Sequence, residues 1–302
     1  MATPIKKQAQ FNLEIFIEAA VVEHEKTFKE LAGFDERKSS QELIKSICRK
    51  FFALPALQTS QAVFTAGAIG SGKSYLVRSI LEQEACLGKN YIYICPDEIF
   101  AEQMSGLYPA EQKDEKMIQK KWLPLAHFIG RVLLRLAVEN RKSFFYQTTS
   151  VEKESEDLTQ YIKRKAYHIK LIHLTTPDHI RWQSVKNRVF SFNPDETEVD
   201  ATGKMIPASL PIFMKEFDVI DFYFRDDLET TASLGAIWYQ EEGPEQREAK
   251  YLITDFNSYL GIKKAHDKAV EDLIKQDPLA KRLKWEALFE KSSRLLNEVS
   301  KV

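Results

Sequence analysis

The apolar positions change period along the chain, and the change divides it. Residues 11–55 carry apolar side chains at helical spacing, with Leu13, Phe16, Ile17 and Ala20 on one stripe and Leu43, Ile44 and Ile47 on another. They predict two or three amphipathic helices that brace the remainder of the chain. From residue 62 the pattern becomes short β-rich runs separated by helical stretches, which predicts an α/β three-layer fold with a mainly parallel sheet covered on both faces. The predicted strands are 62–66, 91–95, 143–147, 169–174 and 219–224, with 236–239 as an edge strand. Helices are predicted near 73–86, 115–140 and 152–166, the second kinked or divided at Pro124. Thr176 and Pro177 then open another helix as cap and first residue. Residues 191–207 combine Pro, Asp, Glu and Gly with little apolar periodicity and read as a mobile loop. Beyond Gly261 the chain is charged and helical, with Leu273, Leu279, Leu283, Leu288 and Leu295 on intermittent apolar faces. The expected organisation is a helical extension over 1–58, a core domain over 59–245 and a second helical extension over 246–302.

Composition adds limits. At 302 residues and 44% apolar content the chain can bury one sizeable core. Lys and Arg total 43 against 44 Asp and Glu, and the net charge of −1 provides no overall field for nucleic acid or an acidic membrane. A small-molecule substrate or a protein partner fits better. Cys48, Cys86 and Cys95 have no metal-ligand spacing, and two of them sit in apolar runs, which favours a reducing cytoplasm. No run of 18 uncharged apolar residues occurs, so neither a cleavable signal nor a membrane span is expected, and export by an uncleaved signal stays open.

One motif carries chemistry unaided. Gly67-Ala68-Ile69-Gly70-Ser71-Gly72-Lys73-Ser74 matches G-x-x-x-x-G-K-S/T in full, directly after a predicted strand and before an amphipathic helix. Its four fixed positions arise by chance only about 0.01 times in a chain of this size. The glycines let successive N–H groups converge on one anion, and the helix N-terminus adds partial positive charge. Such a loop binds ATP: Lys73 neutralises β- and γ-phosphate oxygens, and Ser74 offers a hydroxyl to the Mg2+ bridging them. The fold class is therefore the P-loop NTPase type.

Parallel sheets bind ligands beyond the carboxyl ends of their strands, so strand-end residues are the candidates to receive the phosphate. Asp97 follows the strand 91–95 and Pro96 carries it to the rim, where a carboxylate can take a proton from an acceptor hydroxyl or simply cap a helix. The strand 143–147 ends in Gln147-Thr148-Thr149-Ser150, where a P-loop ATPase usually places an acidic residue. Gln147 and Thr149 instead suit a polar, hydroxyl-rich substrate. On the helix after the fourth strand, Arg181, Ser184 and Arg188 share a polar face. Arg188 lies beside the predicted loop, where a guanidinium suits phosphoryl oxygens. Lys204 belongs to that loop, and its closure would bring another cation over the phosphates. His173 and His127 read as core or boundary histidines, Tyr91 and Tyr93 as sheet packing, and Cys95 as an inert buried thiol.

The string TAGAIGSGKS, strand-end Asp97, the polar run Gln147 to Thr149, Arg188 and Lys204, taken in this order, resemble the zeta-toxin family of P-loop small-molecule kinases over roughly residues 60–240. The resemblance implies transfer of the ATP γ-phosphate to a sugar hydroxyl, in several members on UDP-N-acetylglucosamine. It puts Asp97 on the general base, Arg188 and Lys204 on cations that bind the γ-phosphate, and Thr149 on a substrate contact. It also implies an antitoxin or inhibitory protein, whose place the terminal helices could take. Three positions depart from the family pattern: Gln147 and Thr148 stand where a glutamate and a glycine are typical, and Lys204 where an arginine is common. A polynucleotide end kinase and a non-catalytic nucleotide-binding regulatory module are the alternatives.

Overall fold

The computed structural model describes residues 15, 37–52, 60–104, 115–147, 153–187, 194, 196–242, 247–289 and 293–296. Among these, eight strands form one sheet in the order β2-β3-β1-β4-β5-β6-β7-β8. Strands β1 (Gln61–Ala66), β2 (Ile92–Ile94), β3 (Phe144–Gln147), β4 (His168–Thr175) and β5 (Val219–Phe224) run parallel. β1 lies between β3 and β4, so the turn that leaves it stands in the middle of the carboxyl edge of these five strands.

The alternation along β1 explains its place. Ala62, Phe64 and Ala66 join the larger core, whereas Val63 joins a smaller one on the opposite face. A strand dry on both faces needs a helical layer on each. Phe64 anchors the larger core through edge-to-face contacts with Phe144, Tyr146 and Phe217, at 6.2, 5.8 and 5.7 Å between centroids. The smaller core is closed by α2 (Lys73–Cys86), through Leu76 and Val77 against Phe145, Ile172 and Leu174.

On the larger-core side, α1 (Arg37–Phe52) buries Ile44, Ile47 and Cys48 in the same cluster as α4 (Glu115–Glu139). The stripe expected at Leu13, Phe16, Ile17 and Ala20 lies outside the described residues. Pro124 does not divide α4, which continues through it. The cost of one missing backbone donor is offset by burial of Leu125, Ala126, Phe128, Ile129 and Val132 around it. Between β2 and α4 comes α3 (Pro96–Glu98), which widens into a π-helical turn, Ile99–Gln103. The helix α5 (Lys153–Arg164) and then α6 (Asp178–Lys186) follow β3 and β4.

Several expectations are corrected. Residues 196–207, expected as a mobile loop, form the first turns of α7 (Glu196–Glu216). Its buried stripe of Val199, Ile206, Leu210 and Phe213 has helical period, which Pro207 and Pro211 inside the helix obscure in the sequence. The α6 helix begins one residue later than expected, with Pro177 flanking it rather than starting it. The strand expected at the edge is interior: β6 (Ser233–Glu242) pairs antiparallel with both β5 and β7 (Arg247–Ile253). The segment after 245 also supplies α8 (Phe256–Gln276), α9 (Trp285–Phe289) and β8 (Ser293–Leu296), the last parallel to β7. Helices are thus joined there by two strands that extend the sheet of the core.

Candidate active site

The loop from Gly67 to Lys73 leaves β1 and enters α2 through two glycines with left-handed backbones, Gly70 at φ +82° and Gly72 at φ +93°. A Cβ at Gly70 would meet the Arg181 carbonyl at 2.5 Å, and one at Gly72 would meet Arg225 Nη1 at 2.5 Å. A side chain is excluded at Gly70 by conformation and by the backbone it would strike, and disfavoured at Gly72 by conformation. The curl is pinned by Ser71 N–H on the Ala68 carbonyl at 3.1 Å and by the Thr176 hydroxyl donating to the Ser71 carbonyl at 3.0 Å. Thr176, expected as a helix cap, serves the loop instead. Lys73 is buried, and its ammonium donates to the carbonyls of Gly67 and Ala68 at 2.7 and 3.2 Å. These bonds hold the cation inside the curl, which is where phosphate oxygens need it.

Ser74 does not stand alone. Gln147, at the end of β3, donates from Nε2 to Ser74 Oγ at 2.8 Å. Its Oε1 lies 2.7 Å from the Tyr93 hydroxyl, which is also 3.1 Å from Glu98 Oε1. Burial, followed by the neighbouring Cys95 and Glu98, raises the Tyr93 pKa, so the phenol keeps its proton and acts as a donor. Glu98 is in turn paired with Arg78 of α2 at 3.2 Å. The one Tyr93 proton is thus shared between two acceptors, and polar contacts run from α3 to the hydroxyl of the phosphate loop. Tyr93, read in the sequence as sheet packing, is their central link; the signal available for it is its place one residue before the end of the strand that leads to Asp97.

Asp97 lies in α3, on the exposed rim just beyond β2. Pro96 fixes its position by packing on α4 at Gly130, where a Cβ would meet the proline ring at 3.2 Å. Cys95 beneath it is buried, and burial, with Asp97 as the next contributor, pushes its thiol up to about 12, which makes it unreactive. Thr149 and Arg188 lie outside the described residues.

Arg181 departs from expectation. Instead of a solvated polar face it is 2% exposed, with Nη1 donating to the carbonyls of Ile69 and Val199 at 3.3 and 3.0 Å and Nη2 to Asp178 at 2.8 Å. The guanidinium clasps phosphate loop, α6 and α7 together. Helical spacing does not distinguish a wet polar residue from a buried one, and here Arg181 is buried. Beside it, Thr202 of α7 accepts from the Ile69 N–H at 3.1 Å. Lys204 is an exposed residue of α7 rather than of a loop, and it adds to the effect of Lys275 in lowering the pKa of Asp272 on α8.

The family comparison falls on this set of residues. The model for the zeta toxin family matches residues 47–209, more than half of the chain. The chain belongs to the zeta toxin family. The match contains the phosphate loop, Asp97, Gln147, Arg181 and Thr202, and ends before β5. No curated protein sequence matches the chain. Among solved structures, a chain of the PezAT chromosomal toxin-antitoxin system of Streptococcus pneumoniae is similar at 16% identity, covering 63% of this chain and 80% of that one, with a TM-score of 0.53. AvrRxo1-ORF1:AvrRxo1-ORF2 with sulphate ions is similar at 12% identity, covering 84% and 85%, with a TM-score of 0.52. The same complex with ATP gives 12%, 84% and 85%, with a TM-score of 0.51. At these identities the likeness is one of fold alone.

In this family member the cradle fits a triphosphate. Besides the two glycines and Lys73, the Ser71 hydroxyl is buried with no hydrogen-bond partner among the described residues, as a donor awaiting an anion would be. No group of three or more His, Cys, Asp or Glu among the described residues could hold a metal. A metal ion would instead be held by the Ser74 hydroxyl and by phosphate oxygens of the nucleotide, as Mg2+ commonly is.

Proposed function

We propose that the chain is an ATP- and Mg2+-dependent kinase that transfers the γ-phosphate to a hydroxyl of a small metabolite, most specifically a nucleotide-linked sugar of the UDP-N-acetylglucosamine kind or another nucleotide conjugate. The observation that carries the reading is the hydrogen bond from Gln147 to Ser74, because it ties the triphosphate cradle to the strand ends where an acceptor would sit. Family membership and the fold shared with an ATP complex support it.

In this reading Lys73 and the loop N–H groups hold the β- and γ-phosphates. A magnesium ion at Ser74 would offset charge on the transferring group. Asp97 orients the acceptor hydroxyl and takes its proton, the acceptor oxygen bonds to the γ-phosphorus, and the bond to the bridging oxygen breaks to release ADP. Gln147 and Thr149 contact the acceptor, while Arg188 and Lys204 stabilise charge on the migrating group. For Lys204 this requires α7 to turn its exposed face towards the cradle. The toxin-antitoxin and two-ORF complexes among the similar structures support an inhibitory protein partner, and we place the activity in the cytoplasm.

The neutral Gln147, standing where nucleotide hydrolases carry an acid, favours a second reading, a non-catalytic nucleotide-dependent module. Labelled ATP and a metabolite extract separate the two. The kinase reading expects a labelled acceptor, identified by mass spectrometry, that is absent with Lys73→Ala. ATP bound without any labelled product would leave the module reading.

A further inference from the structure

The strand order gives the nucleotide a direction. Asp97 and Gln147 stand at the ends of β2 and β3, on one side of β1, whereas β4 and β5 lie on the other. A γ-phosphate moving towards Asp97 therefore points to the β3 side. The α-phosphate and nucleoside are left on the side of β4 and β5.

Arg225 occupies that side. It is the first residue after β5, and its N–H extends the ladder to the Thr175 carbonyl at 3.0 Å. Its guanidinium returns to the cradle: Nη1 stands 2.5 Å from the point a Cβ on Gly72 would occupy. Nη2 is held by the Leu228 carbonyl, and Nε is buried with no hydrogen-bond partner among the described residues. A half-buried cation, tethered at one nitrogen, thus faces the N-terminus of α2 with donor capacity unspent, in a place where guanidinium groups bind phosphate oxygens.

We propose that Arg225 is a nucleotide-binding residue that contacts the α-phosphate. The assignment rests on the kinase reading for the location of the nucleotide, and it concerns a residue beyond the family-matched span of 47–209. Lys73 serves the transferring end of the triphosphate and Arg225 the retained end, so loss of Arg225 weakens ATP and ADP alike.

The test is calorimetric binding of ATP and of inorganic tripolyphosphate to wild type, Arg225→Gln and Arg225→Lys, with thermal melting of each ligand-free protein as the folding control. Loss of one charge-assisted contact predicts ATP binding weakened about 10- to 100-fold by the glutamine, with tripolyphosphate weakened comparably and the lysine variant intermediate. Three results would overturn the assignment. ATP weakened while tripolyphosphate is unchanged would put the contact on the nucleoside. Both ligands binding within about two-fold of wild type would leave Arg225 only its bond to Leu228. A wild type that binds neither ligand would remove the kinase reading and this assignment together, whereas the first two results spare the kinase reading.

Discussion

At the scale of single residues, Gly72 makes a demand on backbone conformation. Its φ of +93° is one that L side chains rarely adopt, and a methyl group there would also push the Arg225 guanidinium aside. Gly72→Ala should abolish measurable ATP binding while leaving the remote core intact, as titration with a fluorescent ATP analogue and a melting curve would establish together. His173 makes a different demand, on pH. It is packed against Phe213 and Phe222, and burial, with His266 as the next cause, pulls its pKa down to about 3. His266 is lowered by burial as well, against the opposing pull of the Leu283 carbonyl. Both folded-state values lie below the unfolded ones, so the unfolded chain binds more protons. Their contribution to stability is complete above about pH 6.5 and drains as pH falls from there. Two protons allow a slope of up to about 2.7 kcal/mol per pH unit. Melting temperature should fall steeply between pH 7 and pH 5, and less steeply in His173→Gln. Equal slopes would place the acid sensitivity elsewhere.

At the scale of elements, α7 is the one to test, because it joins the phosphate loop to the rest of the molecule. Thr202 supplies the oxygen for the Ile69 N–H, and Arg181 fastens the carbonyl of Val199. Thr202→Val would leave a part-buried donor without its partner, at a cost of about 1–3 kcal/mol. Hydrogen exchange should report faster opening at Ile69 and the first turns of α7, with little change in β1. This element was also the least legible. The glycine and proline residues between 191 and 207 read as a mobile loop, because a local pattern gives no weight to the burial that Val199, Leu210 and Phe213 gain. By contrast α2 was legible to its ends, since motif, capping glycine and apolar spacing agree. Arg225 was legible in principle: the strand-end rule that selected Asp97, applied to β5, selects it too.

At the scale of the whole molecule, the five parallel strands were readable from the sequence because each is a short, largely apolar run between helical stretches, as strands covered on both faces are. The additions after β5 were not. The segment 247–253 crowds Arg247, Glu248 and Lys250 ahead of Tyr251, Leu252 and Ile253 without the alternation of a strand, and pairing with β6 and β8 makes it one. Trp285 binds these additions to the core: it is 1% exposed, with ring centroids 5.2 Å from Phe222 of β5, 4.5 Å from Phe289 and 5.5 Å from His266. Trp285→Ala should therefore lower global stability by about 3–5 kcal/mol in a single denaturation transition. An early, separate transition would mean that the carboxyl-terminal elements fold as an independent unit.

The proposed function stands on a cradle that would hold the phosphate and on a rim carboxylate, Asp97, that would receive the acceptor's proton. The most direct measurement is single-turnover phosphate transfer to the identified acceptor by wild type and Asp97→Asn, with ATP affinity determined on the same preparations. Removal of the base predicts transfer slowed by about 10²- to 10⁴-fold at unchanged ATP affinity. Transfer at the wild-type rate in Asp97→Asn would contradict the account.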